Sequence, residues 1–212
     1  MPIVANSTQI IIEQRVVLHD VPWEIYEGLM QTHTDHSAPR FTYDQGQLEI
    51  YMPSQKHEKN AELLGDLVKT IAEERDIEVL SLGSTTFKKE ESAKGVEPDG
   101  CFYLQSYDAV FGVEKIDLEM FPPDLALEID VTSPSIERFP IYADFRVPEI
   151  WRHVKEKVKI YVLHGSAYIE VGESLVFPQV TATALTGFLL ASHTEKRSLW
   201  LKNVREWMRA HS

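Results

Sequence analysis

Hydrophobic and polar positions alternate most regularly in "PDLALEIDV", residues 123–131. The period-two rule for strands sends Leu125, Leu127, Ile129 and Val131 to one face and Asp124, Ala126, Glu128 and Asp130 to the other. This predicts a strand with a core-facing apolar side and two acids on its second side. The Glu128 and Asp130 Cα atoms should stand roughly 7 Å apart at about 3.3 Å rise per residue. An edge strand with a solvated acidic face is the competing account, although no cation shares that face to balance the acids. A helical period appears in "SQKHEKNAELLGDLVKTIAEERD", where Ala61, Leu64, Leu67, Val68, Ile71 and Ala72 recur and Ser54 is placed to cap.

The remaining pattern adds strands faster than helices. "HDVPWEIYEGLMQTH" predicts a first helix with Asp20 as N-cap and Pro22 in the first turn. "PRFTYDQGQLEIYM" predicts a hairpin turning at Asp44-Gln45-Gly46. "IEVLSLG", "STTFKK" and "VEPDGCFYL" read as strands, and residues 105–123 as an irregular excursion. "TSPSIERFPIYADFRV" predicts a short capped helix, followed by strands in "EIWRHV", "KVKIYVL" and "SAYIEVG" and an amphipathic closing helix in "TEKRSLWLKNVREWMRAH". The expected fold is α+β, α/β-like, with one mixed central sheet flanked by helices. That sheet should include residues 84–89, 97–104 and 124–131, with the 56–75 helix packed across it, in a single domain over residues 1–212.

Composition narrows the function. The 212 residues are 43% hydrophobic and 25% charged, ordinary for a globular protein. No run approaches the roughly 18 apolar residues of a membrane span, and the N-terminus lacks the basic start and cleavage site of a signal peptide, so the expected location is cytoplasmic with no membrane partner. A single cysteine, Cys101, excludes an internal disulfide and a cysteine-rich zinc site. The net charge of −12 counts against general nucleic-acid binding unless the basic residues are concentrated. If DNA is handled, Lys56, Lys59, Lys88, Lys89 and Lys94 should form a rim beside the acids.

Several acids could converge. Glu58 shares a helical stripe with Ala61 and Val68 and leans toward the core, with His57 beside it; both could instead decorate the first turn, where an acid suits the helix dipole. In "STTFKKE" Thr86 and Lys88 share a face, which turns Lys88 toward Asp99 if the two strands form a hairpin; a surface lysine is the plain alternative. Arg138 is a second candidate cation. Asp99 sits in "EPDG", which is either an ordinary turn or a carboxylate held at the mouth of a strand. Acids converging with one cation suit a hard divalent metal, and metal-activated water attacking a phosphodiester is the natural reaction of such a set.

Together "GSTTFKK", "VEPDGCFYL", "PDLALEIDVTSPS" and "YADFRVPEIWR" resemble the Uma-type family of bacterial restriction-endonuclease-like proteins, within the PD-(D/E)XK nuclease superfamily, over residues 20–165. Residues 166–212 form a C-terminal strand and helix extension. The resemblance implies a restriction-endonuclease-like core and a Mg²⁺- or Mn²⁺-dependent DNA endonuclease. Asp99 and Glu128 would be metal ligands, with Asp130 joining them and the Ile129 carbonyl as a further one. Glu58 matches the helical acid of many members, and Glu49 a recurrent acidic position. Where the superfamily pattern wants Lys two positions after the acid, this chain has Asp130, so the cation must come from Lys88 or Arg138. Loss of that Lys also keeps open a rival reading, a catalytically idle nuclease-fold module that binds a partner. A homodimer is compatible with the resemblance, because two DNA strands need two sites.

Overall fold

Residues 13–33, 39–131 and 136–211 are described by the computed structural model of the chain. In chain order they form β1 (Gln14–Leu18), α1 (Trp23–Thr32), β2 (Arg40–Asp44), β3 (Gln47–Met52), α2 (Gln55–Glu74) and β4 (Leu80–Gly83). Next come β5 (Phe87–Lys89), β6 (Lys94–Val96), β7 (Gly100–Tyr103), α3 (Tyr107–Val110), β8 (Leu125–Asp130) and α4 (Phe139–Asp144). The chain ends in β9 (Glu149–Val154), β10 (Lys157–His164), β11 (Ala167–Val171), α5 (Ala182–Ala191) and α6 (Arg197–Ala210).

The strands make two sheets among the described residues. One has the order β1-β3-β2-β6-β5, the other β11-β10-β9-β8-β7-β4. The second is mixed, because β8 and β9 run parallel while its other pairs are antiparallel. The α+β class and the mixed sheet with flanking helices follow the sequence pattern, but residues 87–89 lie in the other sheet. Their hairpin partner β6 pairs onward with β2, which draws β5 away from β7.

Ser54 caps α2, its Oγ accepting the His57 N–H at 3.2 Å. One stripe of the helix then buries Leu64, Leu67, Val68 and Ile71 against Leu125, Leu127 and Ile129 of β8, with α5 and α6 closing the same core. On the other face of β8, Ala126 packs with Cys101, with Phe87 and Val96 of the first sheet, and with Ile141, Tyr142 and Phe145 around α4. The alternation read in "LALEID" therefore holds, but both faces are covered and all six residues of β8 are buried. The edge-strand account fails, since β8 is central.

Other local readings are adjusted. Gln45 and Gly46 turn the β2–β3 hairpin with φ of 47° and 93°, as a two-residue turn with both centres left-handed requires. Pro22, not Asp20, stands at the N-cap of α1, and no side chain caps it. The excursion holds the short α3. The cap expected in "TSPS" falls at residues 132–135, outside the described residues. α5 has no sequence signal of its own, because "ATALTGFLLA" is apolar nearly all round and shows no amphipathic stripe.

Gly95 of β6 lies against the buried Tyr26 of α1, whose ring stacks on Tyr43 with centroids 4.8 Å apart. A Cβ at position 95 would meet the Tyr26 hydroxyl at 2.1 Å. Gly95→Ala should therefore lower stability by about 1–3 kcal/mol, the usual range for overpacking. Urea unfolding followed by tryptophan fluorescence measures it, and an unchanged midpoint would show that α1 shifts freely.

Candidate functional site

The chain passes from the first sheet back into the second at Glu97-Pro98-Asp99. Pro98 has no N–H to continue the ladder of β6, and the carboxylates on either side of it take over the pairing. Glu97 Oε2 accepts the Phe41 N–H at 2.7 Å, extending β6 on β2, and Asp99 Oδ2 accepts the Ile129 N–H at 2.7 Å, extending β7 on β8. Asp99 N–H donates to the Leu127 carbonyl at 3.0 Å. With Gly100 in register with Leu127, the next position back sets Asp99 across from Glu128. "EPDG" is thus both a crossing between sheets and a carboxylate fixed at a strand mouth.

Cations of the chain converge on these acids. Arg138, immediately before α4, donates to Glu128 Oε2 at 2.6 Å and reaches Glu49 Oε1 of β3 at 3.4 Å. Tyr142, one turn along α4, donates its hydroxyl to Glu128 Oε1. Arg15 of β1 donates to the other side of Glu49 at 3.0 Å. Arg152 of β9 donates to Asp130 at 2.5 Å and lies over the Phe139 ring. His57 Nε2 is 3.3 Å from Asp99 Oδ2.

Burial sets the charge balance. It pushes Glu128 up to about 7 against the pull of Arg138, and the neighbouring Asp99 and Asp130 charges add to the rise. Asp130 is raised for the same first reason, with Arg152 opposing. Burial also works against a charged Asp99, but His57, Arg138 and the Ile129 N–H outweigh it and hold that carboxyl below its ordinary value. Burial likewise disfavours a charged His57, and Asp99 and Glu58 overcome it, up to about 10.

The residues nominated by sequence are unequally placed. Asp99, Glu128 and Asp130 come together at the β7–β8 edge, and Glu49 joins them through Arg138. Glu58 is half exposed, 3.6 Å from Arg40 and 3.8 Å from His57 Nδ1. Lys88 instead pairs with Glu27 of α1 at 3.1 Å, because β5 belongs to the first sheet. The cation beside Glu128 is Arg138. The expected lysine rim is dispersed: Lys56 pairs with Glu156, Lys89 with Glu119, and Lys94 donates to the Pro140 carbonyl. Tyr142 and Arg152 were missed. Tyr142 looked like core, and Arg152 becomes visible only once β9 is laid parallel to β8, where it falls in register with Glu128.

The arrangement defines a class, a buried cluster of carboxylates and guanidinium groups at the margin of a mixed sheet. A family model resolves it further: residues 23–190 match Uma2, described as "Putative restriction endonuclease", and the chain belongs to that family. Among solved structures, a "putative nuclease belonging to DUF820" from Anabaena variabilis ATCC 29413 aligns at 14% identity over 75% of this chain and 96% of that one, with a TM-score of 0.49. No curated protein matches the chain. No helix among the described residues is long and apolar enough to cross a membrane.

Arg138→Ala should cost about 3–5 kcal/mol, since it leaves a buried carboxylate without its partner. Asp130→Asn should cost less, about 1–2 kcal/mol, because Arg152 keeps some solvent contact and its place over Phe139. Urea unfolding ranks the two, and equal losses would mean that Glu128 is rescued by water.

Proposed function

We propose that the chain is a divalent-metal-dependent DNA endonuclease that hydrolyses phosphodiester bonds. The observation that carries this reading is Asp99 facing Glu128 across paired strands, with Arg138 at Glu128, in a member of a family described as "Putative restriction endonuclease".

The donor set suits a hard cation. Glu128 stays raised beside Arg138, first through burial, with the Asp99 and Asp130 charges adding to the rise, and a cation at these acids would oppose that second cause. No three His, Cys, Asp or Glu side chains among the described residues form a cage for an ion. Mg²⁺ does not need one, since it is usually bound by one or two carboxylates, waters and substrate phosphates. Asp99, Glu128 and the Ile129 carbonyl would hold it. When bound it would supply an acidified water and charge for the developing phosphorane.

The chain's own residues do the remainder. Arg138 offers a guanidinium to the scissile phosphate, the part the absent superfamily lysine would play in steadying charge. Tyr142 fixes the Glu128 carboxylate, and Arg152 holds Asp130 as a counter-charge beside it. A groove of about 690 Å³ lined by Lys89, Lys94 and Arg146, with Asp144 as the acid among them, would offer backbone phosphates three cations on an otherwise acidic chain.

One observation favours the second reading, a module that binds without cutting. Both oxygens of Glu128 are already engaged, one by Arg138 and one by Tyr142. Supercoiled plasmid incubated with the protein and Mg²⁺ or Mn²⁺ separates the two. Nicked or linear product is expected, falling about 100-fold or more in Asp99→Asn and in Glu128→Gln, in line with the loss of one transition-state-stabilising group. Retained DNA binding with no cutting in either ion would establish the binding module instead.

A further inference from the structure

The helical acid of the sequence pattern, Glu58, faces solvent and Arg40, whereas its neighbour His57 is fully buried. The Ser54 cap fixes the His57 backbone, and the ring stands edge-on to Tyr51 with centroids 5.5 Å apart. Tyr51 is itself anchored by its hydroxyl to Glu13 at 2.6 Å. The imidazole meets two acids at ion-pair range, Asp99 Oδ2 at 3.3 Å from Nε2 and the half-exposed Glu58 at 3.8 Å from Nδ1, and neither ring nitrogen has a closer hydrogen-bond partner among the described residues. An imidazole so enclosed is costly to bury unless those contacts matter.

We propose that His57 is a positioning residue, the group through which α2 holds the Asp99 carboxylate in a single orientation. The Ile129 N–H at 2.7 Å and His57 Nε2 at 3.3 Å both fall on Oδ2. Two fixings on one oxygen stop the carboxylate from rotating and leave Oδ1 outside both. Asp99 also lines a cleft of about 120 Å³ between α2 and the β7 margin, so an oriented carboxylate there meets whatever enters. Orientation of a ligand by a neighbour of this kind is commonly worth 10- to 100-fold in metal affinity. The consequence for metal, though not the hold on Asp99, rests on the nuclease reading.

The test uses the full chain with His57→Phe, His57→Gln, Asp99→Asn and the double variant His57→Phe/Asp99→Asn. Phe keeps the packing on Tyr51 but cannot donate, Gln can still donate to Oδ2, and Asn at 99 can still accept the Ile129 N–H. In EDTA, the urea midpoint of the double variant should coincide with that of its weaker single variant, because the two changes break one contact. Additive losses would overturn the proposal. By calorimetry, His57→Phe should weaken Mn²⁺ binding about tenfold or more, with His57→Gln closer to the parent. Unchanged Mn²⁺ affinity in His57→Phe would also overturn it. If the parent takes up no Mn²⁺, the metal-dependent reading falls, and the role of His57 stands or falls on the urea cycle alone.

Discussion

The structure turns on the crossing at Pro98, where one residue separates two sheets. A chain leaving β6 must surrender one ladder and enter another, and proline forbids a smooth continuation because it lacks the donor. Glu97 and Asp99 solve this by accepting strand N–H groups with their side chains, one on Phe41 and one on Ile129. Thr86 steadies the first of these by donating to Glu97 Oε1 at 3.0 Å. The sheets thereby share the core around Phe87, Val96 and Ala126. The bond from the Ile129 N–H, which starts the second sheet's ladder after the crossing, also aligns Asp99 with Glu128, so the site is a by-product of how the fold is stitched.

Burying Glu49, Asp99, Glu128 and Asp130 close together imposes the second constraint. An ion removed from water costs several kcal/mol unless it is paired and hydrogen-bonded. Arg138, Arg152, Arg15 and His57 meet that demand from four different elements or their ends. Their stems thread between sheets and helices, which explains why α4, only six residues long, is held where it is: Arg138 and Tyr142 both end on Glu128.

Much of this was legible in the sequence where the signal is periodic. α2 carries a strong 3.6-residue repeat because one face meets the core, β8 a 2-residue repeat because its α2 side is apolar and its other side carries the buried acids, and the hairpin at Gln45-Gly46 is written in its turn residues. The pairing of Asp99 with Glu128 was legible only through the order of motifs in a known family, since register between distant strands leaves no local trace. The placement of Lys88 failed for the same reason: its face was read correctly, but its strand joined the other sheet. α5 was invisible because its sequence is apolar nearly all round, even on the side of Gly187 and Leu190 that is exposed, and so shows no stripe. Arg138 was one of two candidate cations, and only tertiary geometry separates it from Lys88.

Arg138 ties these points together. A buried Arg–Glu pair is a poor way to stabilise a protein, because well-packed apolar residues of similar volume often do as well or better. Stability alone therefore does not account for a buried arginine at Glu128, and the nuclease reading proposed above gives it a chemical role. A guanidinium is permanently charged and forks toward two oxygens at once, which suits a phosphate as well as a carboxylate. On the nuclease reading, a phosphate arriving at Glu128 gives Arg138 a further anion beside Glu128 and Glu49 and frees part of the Glu128 carboxylate. The positive charge that Glu128 loses is then the charge a divalent ion would supply, so substrate and ion favour each other's binding. Without substrate, Arg138 serves as the counter-ion that keeps the acids folded.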